Sequence, residues 1–408
     1  MSQESDIDGA GGKMRNRMVV VEGSYAVAHA VKVCRPNVIS AYPITPQTHI
    51  VEDLSQFVAD GEIDCESMNV ESEFSAISAL IGASAAGART YSSTTSQGLA
   101  LMHEALFNAS GMRLPIVMTV VNRALSAPIN IWNDQQDSIA QRDTGWIQLY
   151  AEDVQESADM IPQLYKIAED TEVLLPAMAC MDGFILSHVY EPVILLEQSL
   201  TDEFLPSYSP EFVLDPKNPM SFGAFADPST YTEFRYKQEK AMGAALERID
   251  EVANEFREKY GRYYGGLVDG YALDDAEIVI MAMGSVIGTI KDTIDILRSE
   301  GEPVGLLKVR SFRPFPAEAI RKALRNAKVV ITLDKNISIG KNEGALCTEV
   351  KACLYNAGVR TPVIGFMLGH GGRDIPVSTI MKIVNKAKLV EKGIFVESEY
   401  ADLREDLV

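Results

Sequence analysis

Between residues 20 and 150, short apolar runs alternate with stretches of helical period. The runs near 37–42 (NVISAY), 63–70, 88–93 and 114–121 have strand length, and the stretches near 24–34, 47–59, 73–86 and 98–110 repeat apolar positions at helical steps. This alternation predicts a parallel sheet whose strands are joined by helices. A second α/β pattern opens at AEIVIMAMG (276–284) and runs through a helix to about 299, VGLLKV, a helix from Pro316, AKVVITLD, a helix near 344–357 and PVIGFML.

Two segments separate these patterns. Residues 201–230 are rich in Pro, Ser, Asp and Phe without a sustained period, which predicts a loop that wraps a surface or a partner. Residues 231–260 carry Met242, Leu246, Ile249, Val252, Phe256 and Tyr260 at steps of three or four, which predicts one amphipathic helix. The expected domain boundary falls at 262–272, with a polar tail over residues 1–17. The segment 71–88 is rich in Ala, Ser and Gly, with Glu71 and Glu73 its only charges, so its helix should pack tightly on more than one side, inside the domain or against a partner.

Charge narrows the function. A formal net charge of −20 lacks the basic surface that nucleic acid or an anionic membrane requires, and the apolar runs are too short to span a bilayer. The five cysteines (Cys34, Cys65, Cys180, Cys347, Cys353) have no cluster or zinc spacing, so no metal site is expected on this chain. An odd count of thiols and no charged-then-apolar leader predict a reduced, cytoplasmic protein.

Ligands of open parallel sheets bind beyond the carboxyl ends of the strands. Three side chains fall there: Thr45 after the first strand run, Glu73 at the start of the small-residue helix, and Arg123 after LPIVMTVVN. Arg123 can fork onto a carboxylate, Thr45 can donate to a carboxylate or carbonyl, and Glu73 can hydrogen-bond a ring nitrogen, with Glu71 as the alternative carboxylate. Structural roles compete with these. Thr45 before Pro46 has the form of an N-cap with proline at the first helical position, Glu73 can complement a helix dipole, and Arg123 can hold a loop. The polar loop 122–146, with Trp132 and Trp146, has the form of a lid or of a surface excursion, and GHGGRD (369–374) that of a left-handed turn or an anion nest. His29, His49 and His188 have no ligand-spaced neighbour in sequence, and HEALF fails the H-E-x-x-H zinc pattern.

SAYPITPQTHIVEDL, the run NVESEFSAISALIGASAAGARTYSSTTSQGLALMHEALF that continues to LPIVMTVVNRALSAPINIW, MDGFILSHVYEP and VRSFRPFP together resemble the alpha subunits of multi-subunit pyruvate:ferredoxin oxidoreductases. These are thiamine-diphosphate-dependent 2-oxoacid oxidoreductases, and the resemblance runs in order from about residue 18 to the end. It implies a pyrimidine-type thiamine-diphosphate-binding domain over 18–262 and a transketolase C-terminal-like domain over 263–408. It further implies that Glu73 binds the aminopyrimidine of thiamine diphosphate, and that Thr45 and Arg123 bind the 2-oxoacid.

The family's G-D-G magnesium and diphosphate motif is absent here, where ADG, MDG and VDG stand instead; the resemblance assigns Mg2+ to the beta subunit, coenzyme A binding in part to a gamma subunit, and [4Fe-4S] clusters to the beta and delta subunits, with ferredoxin as acceptor. Pyruvate is the expected substrate; 2-oxoglutarate, a branched 2-oxoacid or oxalate is the alternative, with Arg142 the one nearby cation for a second carboxylate. A non-catalytic scaffold with the thiamine fold and a stand-alone flavin or nicotinamide enzyme are the readings from other classes.

Overall fold

The computed structural model describes residues 18–355, 357–391, 393–394 and 396–408, so the tail at 1–17 lies outside the described residues. The first sheet has seven strands in the order Ser311–Arg313, Ile147–Tyr150, Ala177–Asp182, Val117–Asn122, Thr90–Thr94, Val38–Ala41 and Glu66–Asn69. All pairings are parallel except that of Ser311–Arg313. Central strands are buried on both faces, and at Val117–Asn122 this matches the apolar run expected near 114–121.

The second sheet has six strands in the order Glu399–Tyr400, Val363–Met367, Val329–Asp334, Ile278–Ala282, Val304–Val309 and Val268–Tyr271, parallel apart from the last. The expected second α/β pattern is therefore present. Its strand Ser311–Arg313, however, leaves this sheet and pairs with Ile147–Tyr150 of the first. One hydrophobic core runs across the junction, joining Ile77, Leu106, Met118 and Trp146 to Val279, Leu307, Phe312 and Ile320. Buried ion pairs reinforce it: Glu156 accepts from Arg310 at 2.8 Å and from Lys308 at 2.6 Å, all three side chains almost fully enclosed.

Several elements escaped the period analysis, among them the strands Ile147–Tyr150 and Ala177–Asp182 of the first sheet. Met18–Glu22 and Tyr190–Ile194 form a separate antiparallel ribbon, and Val154–Ala168 is a helix that packs on the first sheet. Helix Tyr231–Tyr260 appears over the expected span, ending at Gly261 with φ +72°, the left-handed turn that glycine adopts freely. Residues 201–204 of the expected loop are the end of helix Gln198–Phe204; the rest is irregular and bonds back to its own chain, Leu214 N–H donating to Ala85 O. Among the described residues, no helix is long and apolar enough to cross a membrane.

Candidate active site

The first sheet is wound so that Val38–Ala41, Thr90–Thr94 and Val117–Asn122 end at one edge. Helix Glu73–Ala85 opens beside it, its N-terminus capped by Ser72, whose Oγ accepts from Ser75 N–H at 3.2 Å. The small-residue pattern has a spatial meaning: Ala76, Ile77 and Leu80 face inward, while Phe74, Ser78, Gly82 and Ala86 form an exposed stripe.

Glu73 is buried at this helix start, and Glu71 is exposed, accepting from Ser75 Oγ at 2.7 Å. That bond to Ser75 lowers the Glu71 carboxyl, and of the two candidates Glu73 is the enclosed one. Glycine is required beside it. A Cβ on Gly98 would lie 2.5 Å from Glu73 Oε1 and 2.7 Å from Thr94 Oγ1. Thr94 Oγ1 and Gln97 Nε2 are both buried without a hydrogen-bond partner. A buried carboxylate beside a buried hydroxyl with open bonding capacity suits a polar heterocycle.

Thr45 does not cap the following helix, which is a correction to the N-cap expectation. The helix is Thr48–Ala59 with Gln47 at its N-cap position, and Thr45–Gln47 is a turn ahead of it, so Pro46 is not its first residue. Gln47 holds the turn: its Oε1 accepts from Ile44 N–H at 3.2 Å, and its Nε2 donates to Ser93 O at 2.8 Å and Ser93 Oγ at 2.7 Å. Pro46 is buried against Gly183, where a Cβ would meet Pro46 Cγ at 2.7 Å. Thr45 itself is exposed at the strand edge.

Arg123 is buried and reaches back to this turn. Its Nη1 donates to Thr45 O at 2.9 Å and its Nε to Asn130 O at 2.8 Å. Burial lowers the guanidinium from its ordinary value, and the negative charge of Asp137 opposes that shift. Asp137 bonds the backbone of Arg123, not its head. Its carboxylate accepts from Arg123 N–H at 3.0 Å, Ser96 N–H at 2.9 Å, Asn122 Nδ2 at 2.8 Å and Ser138 N–H at 2.8 Å. Burial still pushes the Asp137 carboxyl up, to about 7. Thr45 and Arg123 are thus joined directly. Glu73 bonds neither; it lies against Gly98 of helix Ser96–Leu101, whose first residue, like Arg123, donates its N–H to Asp137.

Segment 122–146 divides in two: residues 126–129 are exposed, whereas Asn133, Asp134, Gln135, Asp137, Ser138, Gln141 and Thr144 are buried, with helix Gln136–Ile139 at the centre of that second part. Trp146 belongs to the core, its Nε1 donating to Leu106 O at 3.0 Å, while Trp132 is 54% exposed. GHGGRD is the expected left-handed turn, with Gly369, Gly371 and Gly372 at positive φ. Arg142 bonds Ile139 O at 3.2 Å within its own turn and has no bond to Thr45, Glu73 or Arg123. The aspartate of MDG, Asp182, pairs with Lys335 at 3.0 Å and accepts from Ser285 N–H at 2.9 Å.

Sequence reasoning missed Ser96, Asp137 and Gly98. Ser96 has φ +48°, unusual outside glycine, and only the fold reveals it. It also missed that the ligand atoms of Glu22, His49 and His188 lie within 4.8 Å of one another, since three separate elements bring them together. His49 Nδ1 and Glu22 Oε1 are 2.6 Å apart, a bond that raises the His49 imidazole.

Residues 29–254 match the family described as pyruvate flavodoxin/ferredoxin oxidoreductase, thiamine diP-binding, and residues 276–380 match pyruvate:ferredoxin oxidoreductase core domain II. The chain belongs to this oxidoreductase family. It is 71% identical over 97% of its length to pyruvate synthase subunit PorA of Methanosarcina barkeri, covering 98% of that protein. It is 48% identical over 92% of its length to ketoisovalerate oxidoreductase subunit VorA of Pyrococcus horikoshii, covering 95% of it. In fold it is similar to the 2-oxoglutarate:ferredoxin oxidoreductase of Magnetococcus marinus, with TM-score 0.72 at 18% identity over 91% of this chain and 65% of that one. A split-gene transketolase also matches, with TM-score 0.52 at 13% identity over 89% of this chain and 96% of that one. The expected α/β thiamine-type architecture and the resemblance both hold.

Proposed function

We propose that this chain is the alpha-type subunit of a pyruvate:ferredoxin oxidoreductase, which oxidatively decarboxylates pyruvate to acetyl-CoA and CO2 and works only with partner subunits. The observation that carries the proposal is the desolvated Arg123 guanidinium, held by two carbonyl oxygens rather than by a carboxylate, at the strand edge that also bears Thr45. A buried cation satisfied only by neutral acceptors favours a small anion beside it. Identity favours pyruvate, standing at 71% with a pyruvate synthase subunit against 48% with a ketoisovalerate one. Arg142, bonded within its own turn, gives no support to a second carboxylate.

In this reading Arg123 holds the 2-oxoacid carboxylate and the Thr45 hydroxyl donates to its carboxylate or keto oxygen. Glu73 hydrogen-bonds the ring nitrogen of the thiamine aminopyrimidine, with Gly98 leaving room for the carboxylate and Thr94 offering a further polar contact. Bound thiamine diphosphate supplies the electron sink for decarboxylation. The protein's part is to position the acid, keep the proton on the ring where it is needed, and exclude water.

Partner subunits complete the enzyme. The exposed stripe of Phe74, Ser78, Gly82 and Ala86 supports a beta subunit docked over the small-residue helix and sharing the cofactor. Mg2+ and the diphosphate site belong to that subunit; the pairing of Asp182 with Lys335 leaves the MDG aspartate engaged elsewhere. Gamma and delta subunits, coenzyme A as acetyl acceptor, [4Fe-4S] clusters on partner chains and ferredoxin as electron acceptor follow the family's division of labour. The functional division is 18–262 for the pyrimidine-type domain and 263–408 for the transketolase C-terminal-like domain, in the cytoplasm.

The test is a panel of 2-oxoacids given to the co-purified complex with thiamine diphosphate and coenzyme A. Ferredoxin reduction should be fastest with pyruvate. A preference for 2-oxoglutarate or 2-oxoisovalerate would overturn the substrate assignment, and no activity with any 2-oxoacid would favour a scaffold subunit.

A further inference from the structure

We propose that Asn130 and the Gly371–Gly372 turn position Arg123, so that the second sheet domain sets the geometry of substrate binding without touching substrate. The inference rests on the reading that Arg123 binds the 2-oxoacid. It starts from a chain of contacts. Arg123 Nε donates to Asn130 O at 2.8 Å; the Asn130 side chain donates from Nδ2 to Gly371 O at 3.1 Å and accepts from Trp132 N–H at 2.7 Å. Asn130 therefore meets the arginine with its backbone and the other domain with its side chain.

The loop around it is an excursion closed at its neck. Ala124 N–H donates to Trp132 O at 3.0 Å, and Ser126 to Ile129 between them are exposed. Such a loop has few internal contacts to fix where the Asn130 carbonyl points. The second domain supplies what the loop lacks. Beyond Asn130, Gly371 N–H donates to Asp134 Oδ2 at 3.1 Å, Gln135 N–H to Lys335 O at 2.8 Å, and Ile337 N–H to Gln136 Oε1 at 2.9 Å. Four bonds thus attach residues 130–136 to two turns of the other sheet domain.

The glycines show that the fit is close. A Cβ on Gly371 would lie 2.5 Å from Asn130 Nδ2, and one on Gly372 would run into Trp132 Cβ. Their φ values, +59° and +82°, are left-handed. Backbone of the second domain approaches the loop where any side chain would push it away. Because Arg123 takes one of its two backbone anchors from Asn130 and the other from Thr45, displacing Asn130 turns the guanidinium plane relative to the substrate carboxylate. A bidentate contact is sensitive to that rotation.

The experiment compares Asn130→Ala, Gly371→Ala, the double variant and Arg123→Ala in the co-purified complex, with steady-state kinetics for pyruvate and coenzyme A. Asn130→Ala and Gly371→Ala should each raise KM for pyruvate about tenfold, the loss of one hydrogen bond, while KM for coenzyme A is unchanged and kcat moves much less. The double variant should be no worse than either single one, because Gly371 acts through Asn130. An unchanged pyruvate KM in Asn130→Ala overturns the proposal, as does a Gly371→Ala effect added in full on the Asn130→Ala background. A large rise in Arg123→Ala with none in Asn130→Ala overturns the positioning role alone. No rise in Arg123→Ala removes the substrate role of the arginine itself. Should Gly371→Ala fail to assemble, the Asn130→Ala kinetics decide by themselves.

Discussion

Arg123 Nη1 donates to the backbone carbonyl of Thr45 at 2.9 Å, joining two loops 78 residues apart at the edge of one sheet. The threonine is recruited through its backbone, which leaves the hydroxyl for another partner. The planar head serves Thr45 O and Asn130 O together, and in the proposed role it would take a carboxylate as well. Arg123→Lys should lower kcat/KM for pyruvate by about 100-fold, corresponding to a charge-assisted bond of roughly 1.5–3 kcal/mol. Steady-state assay of the complex checks it; a change within about twofold would contradict the bidentate role.

Gly98→Ala is the sharpest probe of the Glu73 pocket. The added methyl would sit 2.5 Å from Glu73 Oε1, so the carboxylate must move or the helix must shift. Overpacking of this kind costs about 1–3 kcal/mol. The concentration of thiamine diphosphate needed for half-maximal activity should rise by at least about tenfold, while pyruvate KM at saturating cofactor changes little.

Asp137 offers its carboxylate to four N–H donors, from Ser96, Arg123, Asn122 and Ser138. An asparagine in its place would turn an NH2 group toward at least one of them. Asp137→Asn should therefore destabilise the subunit by about 1–3 kcal/mol and lower activity, both read on the purified complex by thermal unfolding and ferredoxin reduction. Unchanged activity would show that Ser96 and Arg123 hold their places without it.

The pair of Asp182 and Lys335 predicts acid sensitivity at the domain junction. Burial alone would raise the Asp182 carboxyl, but the Lys335 charge and the Ser285 bonds outweigh it and hold it below the usual aspartate range. A depressed carboxylate contributes stability that is present above its unfolded value, about 3.9, and lost as pH falls through the depressed folded value. In Lys335→Met the same carboxylate is buried without its cation, so the variant should be clearly less stable than the wild type at neutral pH, and the gap should narrow as pH falls and the carboxyl is protonated. Thermal unfolding across a pH series checks this; superimposable curves would contradict it.

Much of this fold is legible in the chain because strands buried on both faces and helices with one buried face have distinct periods. The α/β alternation, the helix Tyr231–Tyr260 and the second sheet all follow from periodicity. Ser311–Arg313 does not, being three residues long and crossing to the other sheet. Thr45 falls at the strand edge as expected, but its cap-like setting misleads, since nothing local announces that the Gln47 side chain holds the turn. Asp137 is hidden in a stretch whose polar residues suggest a surface, yet they are buried because they bond one another and the backbone. Contacts between distant loops leave no period in the chain.

The central claim is that Glu73, with Thr45 and Arg123, makes this chain a catalytic subunit. Glu73→Gln in the reconstituted complex tests it most directly, because glutamine preserves the shape against Gly98 but removes the carboxyl group that would act on the thiamine ring. Pyruvate-dependent ferredoxin reduction should fall by at least about 100-fold with the complex still assembled. Undiminished reduction would contradict the account.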